Sequence, residues 1–225
     1  MLYTAETVRD NIRNRDGRRV FYMGSADRLT QAARDFLARE QIAILPASQA
    51  RPQRFRLLSG GYLEEKPEHM THLQSDLLVP KTHPRIAFRG KVDTLEAELL
   101  LCRLRLPRLE GPLEELLALA RKLISSEVLE EPLKIGTLCG LSEEELRRHS
   151  HFPQEYYGQP HFMPSVRDGE AVLLLNRLRC AVRETELAAA AAFPEGGRED
   201  LQRALNRMSS TVYILMIREK AAMDG

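Results

Sequence analysis

Apolar positions along the chain change their rhythm near residue 70. Before it they come in short, broken runs. Residues 3–15 predict a short polar helix, and RRVFYM (18–23) predicts a short strand. SADRLTQAARDFLAREQ places Leu29, Ala33, Phe36 and Leu37 at helical spacing, with Ser25 as a cap for its start. IAIL (42–45) predicts a second strand, stopped by Pro46. Residues 46–69 carry Pro46, Pro52, Gly60, Gly61 and Pro67 with no sustained period, which reads as a linker or irregular hairpin. The boundary falls there: residues 1–69 form a small α/β region with its linker, and residues 70–225 form a second, helical domain.

From about residue 70 the period is helical. Val92, Leu95, Leu99, Cys102 and Leu106 step by 3, 4, 3 and 4, one apolar stripe ended by Pro107, Gly111 and Pro112. Leu113, Leu116, Leu117, Ala120, Leu123 and Ile124 mark a second amphipathic helix, with Pro132 after it. LSEEELRRHS has Ser142 and, three residues on, Glu145, the signature of a capping box opening a short third helix. A loop follows with Pro153, Gly158, Pro160 and Pro164. A fourth helix spans about 168–193, with Ala171, Leu175, Leu178, Val182, Thr185 and Ala189 on one face. The fifth spans about 198–219, with Leu201, Leu205, Met208, Val212 and Leu215. Helices with one apolar stripe each bury those stripes against one another. The expectation is a mainly α protein: an antiparallel five-helix bundle with a small mixed N-terminal region.

Composition narrows the function classes. Of 225 residues, 43% are apolar, which at this length is enough for a core and excludes global disorder. Lys and Arg number 33 against 32 acidic residues, so no overall basic field exists for coating nucleic acid. Three scattered cysteines, at 102, 139 and 180, argue against a disulfide scaffold and for a reducing compartment. The charged N-terminus lacks an apolar signal core, and no run approaches the roughly 18 apolar residues of a membrane helix. The expectation is a soluble cytoplasmic protein without nucleic-acid or membrane partners.

The richest chemistry lies in NRLRCAVRETE. Asn176, Arg179, Arg183 and Glu186 step by 3, 4 and 3, a polar stripe roughly a quarter turn from the apolar one at about 100° per residue. Two guanidiniums one turn apart beside the seam face the rim of an interhelical groove, and their planar forks suit phosphate oxygens. Glu186 can steady Arg183 or accept from a ribose hydroxyl. The alternative is a solvated face with an Arg–Glu pair worth a few tenths of a kcal/mol. Asn206, Ser209 or Ser210, and Tyr213 form a similar stripe on the fifth helix, equally compatible with local hydrogen bonding. THLQSDLLVPKTHPRIAFRGKVD (71–93) is basic at Lys81, Arg85, Arg89 and Lys91 and leads into a helix at Asp93, an anion site or a charged loop whose Asp93 is only a cap. No P-loop, Rossmann turn, nucleophile elbow or Glu-x-x-His pair is present. His149, His151 and His161 read as loop histidines, and nothing completes a metal site around His69 and His72.

Taken together, MTHLQSDLLVPKTHPRIAFRGKVDTLEAEL (70–99), GLSEEELRRHSHFP (140–153), LLNRLRCAVRETE (174–186) and ALNRMSSTVYILMI (204–217) resemble the corrinoid (cobalamin) adenosyltransferases of the ethanolamine-utilisation type. DRLTQAARDFLARE resembles that branch's leading segment. The resemblance implies a five-helix bundle that transfers the 5′-deoxyadenosyl group of ATP to cobalt. It implies that Arg179, Arg183 and Glu186 hold ATP and that Thr71, Lys81 and Arg85 contact the triphosphate. The family's G-x-V/I-D at a helix entrance falls on Gly90, Val92 and Asp93, and its L-N-R-x-S run on Leu205, Asn206, Arg207 and Ser209, with Asn206 as the ligand contact. Phe162, close to Pro164, corresponds to an aromatic that helps evict the cobalamin lower ligand. Two departures from the propanediol branch, no Gly-rich phosphate loop and Ser210 in place of Asp, are shared with the ethanolamine branch. The chain has no paired-Cys cluster, so no structural iron or zinc site of that kind is expected.

The resemblance further implies Mg²⁺ with ATP, a cellular cob(II)alamin reductase as partner, and a homo-oligomer, a trimer with a dimer as alternative. It allows association with a bacterial microcompartment. Two rival readings use the same helices: a non-catalytic corrinoid carrier, and a helical scaffold that binds neither ligand.

Overall fold

The computed structural model describes residues 1–15, 18–50, 55–63 and 65–224. Two compact units divide the chain: Met1–Phe55 with Tyr62–Glu65, and Arg56–Gly61 with Lys66–Gly225.

The first unit contains β1 (Leu2–Tyr3), α1 (Ala5–Asp10), β2 (Arg13–Arg15), β3 (Arg18–Met23), β4 (Arg28–Leu29), α2 (Gln31–Arg39) and β5 (Ala43–Pro46). β3 pairs antiparallel with β2 and parallel with β5, and β1 pairs parallel with β4. Val8, Phe21, Ala33, Leu37 and Ile42 form its core. The strand expected at 18–23 is present. The helix expected over 3–15 is not continuous, because Arg13–Arg15 leave it to pair with β3. Ser25 does not cap α2. Leu29 is held in β4 opposite Tyr3, so the helix starts only after Thr30, whose hydroxyl accepts from the Ala33 N–H.

Residues 70–80 are also not helical. After β6 (Phe55–Leu57) and β7 (Tyr62–Leu63), β8 (Met70–Gln74) and β9 (Leu77–Pro80) form an antiparallel hairpin, and β9 pairs parallel with β6. Helical structure begins with α3 (Pro84–Arg105). Pro84 sits where its missing N–H costs nothing, and His83 Nδ1 accepts from the Arg85 N–H as the cap. Gly90 and Asp93 therefore lie inside α3, not at its entrance. α4 (Glu110–Leu129), α5 (Glu143–His151), α6 (Pro153–Tyr157), α7 (Gly169–Ala192) and α8 (Glu199–Asp224) follow. The capping box of α5 forms between Ser142 and Glu145, as its spacing predicts.

Polar contacts fix the directions of the four long helices. Lys91, Glu98 and Arg105 on α3 meet Glu184, Arg177 and Glu170 on α7, in reversed order. Arg89 and Arg103 on α3 meet Glu127 and Glu114 on α4, again reversed. Glu186 and Asp168 meet Asn206 and Lys220, so α8 runs against α7. α5 and α6 pack on α8. The predicted stripes face this core: Val92, Leu95, Leu99, Leu113, Leu116, Leu175 and Leu205 are all fully buried, each worth about 1.5–3 kcal/mol. α8 exceeds its one predicted stripe. Every residue from Thr211 to Ile217 is buried, because α8 is covered by α7, α5 and α6 together. Among the described residues, no helix is long and apolar enough to cross a membrane.

Candidate functional site

Antiparallel packing of α7 on α8 brings their two polar stripes to face each other. Between them lies a cleft of ≈ 590 Å³, lined by Arg179, Arg183 and Glu186 from α7, by Asn206, Ser209, Ser210 and Tyr213 from α8, and by Ser150, His151, His161 and Phe162. Helical periodicity alone explains each half: residues three and four apart share a face. Only the pairing of the helices makes the halves converge.

At one end of the cleft an amide, an acid and a third arginine are fixed by one another. Asn206 Nδ2 donates to Glu186 Oε1 at 3.3 Å, and Arg207 Nη2 donates to Asn206 Oδ1 at 2.6 Å. Arg207 Nη1 also donates to the Glu143 carbonyl at 3.1 Å. Burial pulls the Arg207 guanidinium below its usual value, in spite of the Glu143 charge nearby. Glu186 therefore meets Asn206 here, rather than Arg183.

The arginines are less satisfied. Arg179 lies with its guanidinium carbon 4.7 Å from the centre of the Tyr213 ring, and its Nε, like that of Arg207, is buried with no hydrogen-bond partner among the described residues. Such a donor costs about 1–3 kcal/mol when left unmade. Arg183 is exposed at the cleft rim, with no ion pair or hydrogen bond among the described residues. Two cations on one wall, one with an orphaned donor, form a site for an anion with several oxygens.

The opposite end is aromatic. His161 Nδ1 lies 2.8 Å from the Tyr213 hydroxyl, and Phe162 stacks on the Tyr213 ring at 6.4 Å between centroids. Sequence reasoning left His161 as a loop histidine, since its partner is 52 residues away and no local spacing links them. Tyr213 appeared only as the weak end of a stripe.

Arg179, Arg183, Glu186, Asn206 and Phe162 are thus brought together, whereas Thr71, Lys81, Arg85 and Asp93 do not line the cleft. Thr71 is half-buried in β8 opposite Val79. Lys81 pairs with Glu68 at 3.0 Å on the surface, and Asp93 is exposed on α3. Arg85 is committed elsewhere: its Nε donates to Glu127 Oε1 at 2.5 Å and its Nη2 to the Glu127 carbonyl at 3.1 Å. Glu127 is fully buried, and Arg89 binds its other oxygen at 2.7 Å.

Comparison with known proteins follows the same residues. Residues 61–219 match the family described as Cobalamin adenosyltransferase. The Corrinoid adenosyltransferase EutT of Salmonella typhimurium and that of Escherichia coli K12 are each 36% identical over 178 residues, covering 77% of this chain and 67% of theirs. No solved structure matches significantly.

Proposed function

This chain belongs to the cobalamin adenosyltransferase family, and on that premise we propose that the cleft between α7 and α8 is where it joins ATP to a corrinoid. The protein is a corrinoid adenosyltransferase of the ethanolamine-utilisation type, with the activity carried by residues 70–225. The fold is read as the family's five-helix bundle, α5 being the fifth helix.

Transfer needs little acid–base chemistry. The Co(I) electron pair attacks C5′ of ATP in line, the Co–C5′ bond forms, and the C5′–O bond breaks with its electrons leaving on triphosphate. What the protein supplies is alignment and stabilisation of that leaving charge. Arg179 and Arg183 bind the phosphate chain. Glu186 and the oriented amide of Asn206 hold the ribose and base end. Phe162, on the aromatic side, faces the corrinoid and crowds out its lower ligand. Mg²⁺ would arrive with ATP, held mainly by phosphate oxygens and water, with the Ser209 and Ser210 hydroxyls of the cleft as protein donors, Glu186 being engaged with Asn206. When bound it neutralises phosphate charge.

The residues outside the cleft bear on assembly. Thr71 and Lys81 act as triphosphate contacts, and Asp93 as a further cofactor-binding residue, only if a second copy of the chain carries them to this cleft. The proposed assembly is therefore a homo-oligomer, a trimer with a dimer as alternative. For Arg85 the ion pairs with Glu127 support a scaffolding role. The same reading places the protein in the cytoplasm, with a cellular cob(II)alamin reductase supplying Co(I) and a microcompartment as a possible site of work.

The observation that carries the proposal is the convergence of Arg179, Arg183, Glu186 and Asn206 on one cleft, in a chain of this family. An anaerobic assay with ATP, Mg²⁺ and chemically reduced cob(I)alamin tests it. Light-sensitive adenosylcobalamin should form with an equal amount of triphosphate. No product, under conditions in which a known adenosyltransferase is active, would overturn the reading in favour of a carrier or scaffold.

A further inference from the structure

Tyr213 sits where the two ends of the cleft meet, and three neighbours use it in three ways. It is 9% exposed, on the fully covered stretch of α8. Its ring carries the Arg179 guanidinium at 4.7 Å and stacks with the Phe162 and His161 rings, and its hydroxyl reaches His161 Nδ1. In the neutral imidazole the direction of that last bond follows from the other ring nitrogen. His161 Nε2 lies 3.1 Å from the His151 carbonyl, which can only accept, so Nε2 carries the proton and Nδ1 is the acceptor. Tyr213 therefore donates. Burial raises the Tyr213 pKa, against the opposing pull of the Phe162 backbone N–H and of Arg179, which keeps the phenol a neutral donor.

These contacts differ in what they hold. Arg179 has an orphaned Nε and no ion pair among the described residues, so the Tyr213 ring is the contact that holds its guanidinium. A cation held over an aromatic face keeps N–H donors for an acceptor. The segment from Gly158 to Ser165 has neither helix nor strand, and Met163 within it is 89% exposed. The Tyr213 hydroxyl supplies its polar tie to α8, through the His161 ring and the Phe162 backbone, beside ring contacts of His161 and Phe162 with Tyr213 and of Lys220 with Phe162.

We propose that Tyr213 is a positioning residue that couples the two sides of the cleft: its ring aims Arg179 at the anion, and its hydroxyl latches the His161–Phe162 segment over the corrinoid side. The kinetic part of this rests on the transferase reading; the latch itself does not.

Tyr213→Phe and Tyr213→Leu separate the two functions. Phenylalanine keeps the ring and loses the hydroxyl. Amide hydrogen exchange across 158–165 should then quicken roughly tenfold, and kcat should fall about five- to tenfold, with KM for ATP within about twofold of wild type. Leucine removes the ring too, and KM for ATP should in addition rise roughly tenfold. Unchanged exchange in Tyr213→Phe would overturn the latch. A KM for ATP raised as much by phenylalanine as by leucine would overturn the ring platform. Tyr213→Phe decides alone if the leucine variant does not fold. A wild-type protein that forms no adenosylcobalamin would sink the transferase reading, and the exchange comparison would still decide the latch.

Discussion

Arg179 and Arg183 share one face of α7 a turn apart, yet the fold treats them differently. Arg179 is tucked onto Tyr213, while Arg183 stands at the rim without a partner among the described residues. An exposed helix residue contributes little to stability, so Arg183→Ala should unfold within about 0.5 kcal/mol of wild type. On its proposed role in binding the leaving phosphates, the same change should lower turnover by more than about tenfold. Near-normal turnover, with an unchanged melting curve, would remove Arg183 from the site. This pair and Glu186 were legible in the sequence because one helix carries all three, and 3.6-residue periodicity fixes which residues share a face. His161 was not legible. Its role depends on a hydroxyl brought from another element, and nothing in HFMPSV records that neighbour.

At the scale of elements, the start of α3 depends on a carboxylate from α4. Glu127 is fully buried between Arg85 and Arg89, and Arg89 also donates to the Leu73 carbonyl of β8 at 2.8 Å. Removing the acid leaves Arg89 without a counter-charge and Arg85 with only the exposed Glu130 at 3.4 Å, so Glu127→Ala should cost about 3–5 kcal/mol in chemical denaturation. A loss below about 1 kcal/mol would show the triad to be dispensable. A second clasp joins α8 to the end of α4: Arg198 binds Asp200 at 2.9 Å and the Ser126 hydroxyl at 2.6 Å. The hydrogen bond from Arg198 holds the Asp200 carboxyl down at about 2, from an ordinary 3.8, against the opposing effect of burial. A depressed acid stabilises the fold fully above its unfolded pKa and loses that contribution as pH falls towards the folded value. About 2 kcal/mol should therefore disappear between about pH 4 and pH 2, and Asp200→Asn should flatten that part of the stability curve. An unaltered acid limb in the variant would refute it. The first clasp does not follow from the basic run 81–91 alone, which fits an anion-binding loop as well as it fits a set of ion pairs. Likewise, the sequence marks 71–80 only as part of a basic loop before a helix, whereas cross-strand pairing makes it the β8–β9 hairpin.

For the whole molecule, the first question is whether one chain makes a complete site. The cleft gathers five of the expected residues and leaves Thr71, Lys81, Arg85 and Asp93 outside it. Sedimentation at micromolar concentration should accordingly give a species heavier than the 25.6 kDa chain. A monomer at every concentration that retains full activity would rule out a shared site. The sequence by itself determined that the chain is mainly helical beyond the hairpin, because each apolar stripe records the face its helix must bury. It also determined the family, through motifs whose order along the chain is independent of any contact. The tertiary structure decided what lies across from what. It set α7 against α8 so that two polar stripes became one cleft, spent Arg85 on Glu127, and put the Tyr213 hydroxyl beside His161. Periodicity describes one helix at a time, whereas a site between helices is set by which faces pack, and that is a property of the closed core.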